Sequence, residues 1–142
     1  MKRRGKELPD EDLILLSKVR LGHAKECLFE ADSLCENGMY KGAANRAYYA
    51  AFHALRAVLI LDGYDSKKHS GIISKFREIY IKTEIFTQTI SDNISSLFRT
   101  RTSSDYDDFF LVSNDEAAEQ IKKAKETVTA IEAYLSEIYS QH

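Results

Sequence analysis

The chain has 142 residues, which suffices for one buried core, and a formal net charge of only −2. With 15 Tyr and Phe residues and 44% hydrophobic residues it is not a disordered chain, and its near-neutral charge argues against non-specific coating of nucleic acid. Six glycines, one proline and no apolar stretch of about 20 residues predict a mainly helical protein without a membrane span.

The two ends of the sequence differ in character. Residues 1–9 are basic, lack the apolar stretch of a secretory signal, and are predicted to be a flexible arm. Residues 10–142 are predicted to form one domain, because no linker or repeat interrupts them.

Cys27 and Cys35 would lie about 12 Å apart along a shared helix, too far for a disulfide. Free thiols are typical of a reducing compartment, so a cytoplasmic protein is expected.

Apolar periodicity predicts two long helices in the first half of the chain. The first runs from Asp10 to Asn37, with acidic residues at its start and Gly38 just after its end. Its predicted inward face carries Leu13, Leu16, Ala24, Cys27, Leu28, Ala31, Leu34 and Cys35.

The second helix runs from Tyr40 to Asp62, and its inward face is rich in alanines that would let another helix approach closely. Its other face is not plainly polar, and it carries Asn45, Tyr49, His53, Arg56 and Ile60. A helix with two such faces is typical of a central position or an interface.

Three further helices complete the prediction. The third runs from Lys68 to Tyr80, and the fourth from Thr87 into the Arg99 region. Residues 102–114 are predicted to be either an extension of the fourth helix or an ordered loop. Ser113 and Glu116 form a capping-box pattern that opens a fifth helix. Long amphipathic helices with short connections predict an all-α, up-and-down antiparallel bundle of four or five helices.

Several familiar catalytic patterns are absent from the sequence. The four histidines contain no i, i+4 pair, and there is no Cys-x-x-Cys, glycine-rich phosphate loop or Gly-x-Ser-x-Gly motif. We therefore expect neither a metal nor a cofactor.

The most unusual stretch is the end of the fourth helix, where Arg99 and Arg101 precede Asp105 and Tyr106. Arginine suits bidentate phosphate binding, and tyrosine can stack on a base or donate a proton. The plainer interpretation is a helix end where Arg101 pairs with Asp105 at i, i+4.

Two other sets of residues have a functional and a plain interpretation. Residues 65–82 carry five Lys or Arg against two acidic residues, which is typical of a solvated face but adds to the case for an anionic ligand. His53 with Tyr49 and Arg56 is either a catalytic set or, more commonly, a hydrogen-bonded interface.

Three blocks of sequence together resemble the HEPN domain family, in its small prokaryotic branch with a YYAxFHA … HxG[IV] … RxxxDY pattern. They are Asn45–Ala54, Lys68–Ile73 and Arg101–Tyr106, and the resemblance covers roughly residues 24–134. It implies an up-and-down bundle and a homodimer whose symmetric groove holds polar residues from both subunits. Many members are metal-independent ribonucleases, and many are toxins encoded beside a nucleotidyltransferase antitoxin, whereas others are thought only to bind nucleotides or to act as scaffolds.

The sequence departs from the ribonuclease branches of that family, which carry Arg, four to six residues and then His. No histidine follows Arg99 or Arg101 within that distance; Asp105 and Tyr106 stand there instead. Unperturbed Tyr and Asp are poor proton carriers near neutral pH, so an imidazole would have to come from His53 or His69.

The leading interpretation is a nucleotide- or RNA-binding module that works with a nucleotidyltransferase partner in a toxin–antitoxin-type system. Arg99 and Arg101 would hold phosphate, with Asn45, His53 and His69 as further nucleotide contacts. Tyr106 would stack on a base or be the hydroxyl that the partner modifies. One alternative is an endoribonuclease with Arg101, Asp105 and Tyr106 as catalytic residues. Another is a non-catalytic dimeric adaptor.

Overall fold

Five α-helices make up most of residues 10–141, the part of the chain that this computed structural model describes. They are α1 (Glu11–Glu36), α2 (Tyr40–Leu59), α3 (His69–Phe76), α4 (Gln88–Tyr106) and α5 (Asn114–Tyr139). A 3-10 turn, Ile60–Asp62, follows α2, and a π-helical turn, Arg77–Ile81, follows α3. No β-strand occurs in this range, so the all-α prediction is confirmed. The predicted basic arm, residues 1–9, and His142 lie outside the described residues.

Local capping sets the ends of the two longest helices. The Asp10 carboxylate accepts a hydrogen bond from the Leu13 amide at 2.9 Å, at the start of α1. At its other end Gly38 has φ of 76°, and the Met39 amide bonds back to the Leu34 carbonyl, which is a Schellman cap. The capping box predicted at Ser113 and Glu116 is present at the start of α5.

Contacts between side chains fix the directions of the helices. Ser17, near the start of α1, donates to the Ala57 carbonyl near the end of α2 at 2.6 Å, and its hydroxyl also meets Tyr139 at the end of α5. Both α2 and α5 therefore run antiparallel to α1. Ser96 of α4 accepts from Gln120 of α5, and Asn93 reaches the Lys123 carbonyl, so α4 and α5 are also antiparallel. The four long helices alternate in direction, as predicted.

α2 lies at the centre of the bundle and contacts the other four helices. Its alanines at positions 47, 50, 54 and 57 are fully buried, and side chains this small let the neighbouring helices approach closely. The predicted inward face of α2 is confirmed, and on its second face Asn45, Tyr49, His53 and Arg56 are only partly buried. Within residues 10–141 no helix is long and apolar enough to cross a membrane.

The fourth helix differs most from its prediction, since it continues past Arg99 to Tyr106. Asp107 then leaves the helical conformation, and its carboxylate accepts a hydrogen bond from the Phe109 amide at 3.0 Å. This local turn makes residues 107–113 a loop. Within the segment for which two alternatives were predicted, residues 102–106 therefore extend α4 and residues 107–113 form the loop.

Of the eight inward positions predicted for α1, only Ala24, Cys27 and Ala31 are fully buried. Leu16 is 36% exposed and the other four are partly exposed, because the inward face of α1 is centred on Ser17, Ala24 and Ala31. Both cysteines are free, and burial raises the pKa of the Cys27 thiol.

Candidate functional site

A pair of adjacent tyrosines on α2 anchors the site. Tyr48 is 2% exposed and points into the bundle, and its phenol oxygen lies 2.6 Å from Nδ1 of His69. Phe52, one turn later on α2, stacks on the His69 ring with 4.1 Å between the ring centroids. These two contacts hold the first residue of α3 against the side of α2 that carries Tyr48 and Phe52.

Arg101 reaches the same tyrosines from α4. Its Nη2 donates to the Tyr49 hydroxyl at 3.2 Å, and its guanidinium carbon lies 5.5 and 5.7 Å from the ring centroids of Tyr48 and Tyr49. Its Nε lies 3.0 Å from Asp105 Oδ2, which is the predicted i, i+4 pair. Cation–π contact and an ion pair thus fix the guanidinium in place while 20% of the side chain stays exposed.

These contacts bring an imidazole close to Arg101, although no histidine follows it in the sequence. His69 and Arg101 both contact Tyr48, one through the phenol oxygen and the other over the ring. Burial, together with the charges of Arg101 and Arg56, lowers the pKa of His69, so its ring is neutral at pH 7. Burial raises the pKa of Tyr48, which keeps the phenol protonated. The direction of the Tyr48–His69 hydrogen bond depends on the tautomer of the neutral ring. With the ring proton on Nε2 the phenol donates to Nδ1, whereas with the proton on Nδ1 the ring donates to the phenol oxygen and Nε2 is free to accept a proton.

His53 lies one turn after Tyr49 and faces α1 rather than Arg101. Its ring centroid is 5.6 Å from that of His23, and its buried Nδ1 has no hydrogen-bond partner among residues 10–141. Burial, with His23 and nearby arginines adding to the effect, lowers the pKa of His53 to about 4. The predicted set of His53, Tyr49 and Arg56 therefore lines one face of α2 without forming a single hydrogen-bonded cluster.

A second group of charges lies beyond His69, at the end of α2. The Asp65 carboxylate accepts from Arg20 at 2.8 Å and from Arg56 at 3.1 Å. Burial by itself raises the pKa of Asp65, but the hydrogen bonds and charges of the two arginines outweigh it, and the net shift is downward. The carboxylate is thus ionised and shared between two cations.

The remaining predicted site residues stand apart from Arg101. Arg99 is exposed and, at 100° per residue, lies about 200° from Arg101 around α4. Tyr106 is the last residue of α4, is 81% exposed, and makes no ring contact or hydrogen bond to the other described residues. Asn45 accepts two hydrogen bonds from the Arg46 guanidinium, which in turn lies over the Tyr49 ring. Among residues 10–141 no three His, Cys, Asp or Glu side chains are grouped to hold a metal ion.

Sequence reasoning missed the central role of Tyr48, because apolar periodicity placed it on the inward face of α2. Tyr48 is both a core residue and a site residue, since its ring is buried and its hydroxyl reaches His69. Asp65 was also missed, because its two arginine partners are 45 and 9 residues away. The signal available in the sequence was the Tyr48–Tyr49 pair, which places one aromatic ring on each face of α2.

Comparison with known proteins identifies the family of this chain. The model of the HEPN domain matches residues 17–134, so the chain belongs to the HEPN domain family. A protein of Thermotoga maritima named UPF0332 protein is 30% identical over 115 residues, which cover 81% of this chain and 87% of that relative. The Methanocaldococcus jannaschii protein named "Putative toxin MJ0142" is 27% identical over 112 residues, or 79% of this chain and 76% of its own.

A solved structure also matches the fold. The crystal structure of ST0689, an archaeal HEPN homologue, aligns with a TM-score of 0.68 over 84% of this chain and 97% of that chain. At 19% identity this match shows a shared fold. The resemblance that the sequence predicted is therefore confirmed at the level of family and fold.

Proposed function

We propose that this HEPN protein binds the phosphate backbone of RNA, or of a nucleotide, in a groove centred on Arg101. The observation that carries the proposal is the guanidinium of Arg101, held over Tyr48 and Tyr49 beside the neutral ring of His69. Asp105 lies within ion-pair distance of Nε without a hydrogen bond to it, Nη2 donates to Tyr49, and no described residue bonds to Nη1. A positioned and partly exposed guanidinium suits a phosphate oxygen.

Metal-independent cleavage of RNA is the second candidate, favoured by the shared contact of His69 and Arg101 with Tyr48. His69, neutral at pH 7 and with its ring proton on Nδ1 donated to the Tyr48 oxygen, would take the proton of a 2′-hydroxyl on Nε2 as the 2′-oxygen attacks the phosphorus. Arg101 would stabilise the negative charge that builds up on the phosphoryl oxygens. The 5′-oxygen leaves and takes up a proton, so the products are a 2′,3′-cyclic phosphate and a 5′-hydroxyl.

A toxin–antitoxin context with a nucleotidyltransferase partner is part of this proposal. The relative named "Putative toxin MJ0142" supports the toxin half of such a pair. Tyr106 is 81% exposed at the end of α4, one residue beyond the ion pair of Asp105 with Arg101, so a partner enzyme could reach its hydroxyl. Transfer of a nucleotidyl group from a nucleoside triphosphate to that hydroxyl, with release of pyrophosphate, would add a phosphate group at the end of α4.

We also propose a homodimer built on an apolar stripe of α1. Leu15, Val19 and Phe29 are exposed on one side of this helix, and His23 carries the surface across to His53 on α2. A symmetric dimer is what the family resemblance implies.

A single set of RNA experiments tests the groove. Labelled single-stranded RNA in EDTA buffer is titrated with wild type, Arg101→Ala and Arg101→Lys, and affinity and fragments are both recorded. Lys122→Ala, an exposed residue of α5, is the charge-matched control. We expect Arg101→Ala to weaken binding about tenfold or more, equivalent to about 1.4 kcal/mol, and Lys122→Ala to have little effect.

Cleavage is read from the same samples. Fragments that end in 2′,3′-cyclic phosphate, form in EDTA and disappear in His69→Asn would establish the ribonuclease. RNA binding without fragments would support an RNA-binding module and contradict the ribonuclease. Unchanged binding in Arg101→Ala would overturn the proposal and favour the adaptor, which should also tolerate Arg101→Lys.

A further inference from the structure

An open cavity lies beside His69. It has a volume of about 470 Å³ and is lined by Phe52, Arg56, Asp65, Ser66, Lys67 and His69. These residues come from the end of α2, the connection that follows it, and the first residue of α3. Because His69 also contacts Tyr48, the cavity adjoins the Arg101 groove.

The charges in and behind this cavity are not balanced. The Asp65 carboxylate is already bonded to Arg20 and Arg56, and Arg20 is buried behind it. Lys67 is exposed and makes no ion pair with any residue that the structure describes. One carboxylate among three cations leaves a net charge of +2, so the cavity favours an anion.

Aromatic rings stand beside these charges. Phe52 and His69 are stacked nearly parallel, with an interplanar angle of 17°, and both line the cavity. A rigid pair of rings next to cationic side chains is a common arrangement for an unstacked base and its phosphate. The chemistry of the cavity therefore suits a nucleotide better than a simple inorganic anion.

The spacing between the two cationic places indicates the length of the ligand. Arg56 follows Tyr49, the hydroxyl partner of Arg101, by seven residues on α2, which is roughly 10 Å along the helix. A stacked strand rises about 3.4 Å per nucleotide, so this distance is about three nucleotide steps. His69 lies between the two places, and the charges of both Arg101 and Arg56 lower its pKa.

We infer that the Arg56–Lys67 cavity is a second phosphate subsite, and that the ligand is a single-stranded oligoribonucleotide that spans both places. This inference rests on the proposed binding of RNA phosphate at Arg101. A mononucleotide would occupy one place only, whereas an oligomer of about three or more nucleotides would occupy both.

The experiment compares uridine monophosphate with uridine oligoribonucleotides of increasing length, by calorimetry or fluorescence competition, over a range of salt concentrations. The variants are Lys67→Ala, Arg101→Ala and the matched control Lys68→Ala, an exposed neighbour that does not line the cavity. Lys67 has no side-chain partner among the described residues, so its loss should leave the fold intact, which circular dichroism checks.

Affinity for wild type should rise with oligomer length until both places are filled. Lys67→Ala should weaken the longer oligomers about threefold to tenfold, and lower the slope of log K against log salt by about one. It should leave uridine monophosphate binding unchanged, whereas Arg101→Ala should weaken both ligands. Lys68→Ala should behave as wild type.

The two proposals fail in different ways. If Arg101→Ala weakens the oligomers but Lys67→Ala binds them with the affinity and salt slope of wild type, the second subsite is overturned and the first stands. If wild type binds neither monophosphate nor oligomer, the proposed function falls and the inference falls with it.

Discussion

At the scale of single residues, His53 is the side chain whose environment has the clearest thermodynamic consequence. It is partly buried on α2 against His23, and Arg20, Arg46 and Arg56 surround it with positive charge. A proton on this ring would lose hydration and meet repulsion, which is why its pKa falls to about 4. The folded protein keeps His53 neutral where the unfolded chain would protonate it.

His53 should therefore make stability depend on pH. Between its ordinary pKa of about 6.5 and the folded value of about 4, the unfolded state binds a proton that the folded state does not. The free energy of unfolding should fall as the pH drops through this window, by about 1–2 kcal/mol after allowance for solvent screening.

Urea denaturation of wild type and His53→Gln at pH 7, 6, 5 and 4.5 measures this effect. The variant should lose less stability over the range, although His69, whose pKa is also lowered, leaves a residual slope in both proteins. Stopping at pH 4.5 avoids the protonation of Asp65, which destabilises only at lower pH because its pKa lies below the ordinary value. Identical pH profiles for the two proteins would contradict the assignment.

At the scale of elements, the position of each helix end determines which side chains meet. α4 continues to Tyr106, and this extension keeps Asp105 one helical turn from Arg101 so that the two can pair. The turn between α1 and α2 has the same importance for packing, because it fixes the register that places Ser17 against Ala57. Gly38 makes that turn possible with its φ of 76°.

Replacing Gly38 should therefore weaken the α1–α2 hairpin. Gly38→Ala has room for its methyl group but must adopt a left-handed conformation, at a cost of about 1–2 kcal/mol. Gly22 is the matched control, because it lies inside α1, where an added methyl group also meets nothing within 4 Å. Gly22→Ala should stabilise the protein by about 0.5–1 kcal/mol. Chemical denaturation of both variants checks the opposite signs, and equal shifts would refute the explanation.

At the scale of the whole molecule, the exposed apolar stripe on α1 needs an explanation that the monomer does not supply. Leu15 is 62% exposed and Phe29 is 76% exposed, on a helix whose other side is packed in the core. Burial of a leucine side chain contributes about 1.5–3 kcal/mol, and in a symmetric dimer each contact occurs twice. The proposed homodimer would bury this stripe.

The dimer is tested by sedimentation velocity across a range of protein concentrations. Wild type should sediment as a dimer, and Leu15→Asp should raise the dimer dissociation constant at least tenfold, since about 1.4 kcal/mol corresponds to a factor of ten. Leu111→Asp is the control, because Leu111 is exposed in the loop after α4 and lies off the stripe. A monomeric wild type, or equal effects of the two variants, would exclude this interface.

The fold was largely predictable from sequence, because helix formation depends mainly on residues that are close together in the chain. Apolar periodicity, the Ser113 capping box and Gly38 are each signals that a short stretch of sequence contains. The helix ends that they predict lie within a residue or so of those in the structure. The end of α4 was not predictable in the same way, because residues 102–106 are polar and their helical state depends on contacts such as Arg101 with Tyr49.

Several individual residues of the site were predictable from the sequence, but the contacts between them were not. The sequence by itself determined the family, the up-and-down path of the chain through the bundle, and the unusual character of the stretch from Arg99 to Tyr106. Only the tertiary structure decided that His69 shares Tyr48 with Arg101, whereas Arg99 and Tyr106 lie elsewhere on α4. The physical reason is that helical periodicity fixes the angle of a side chain around its own helix, whereas the rotation and offset of neighbouring helices are set by the packing of the whole core.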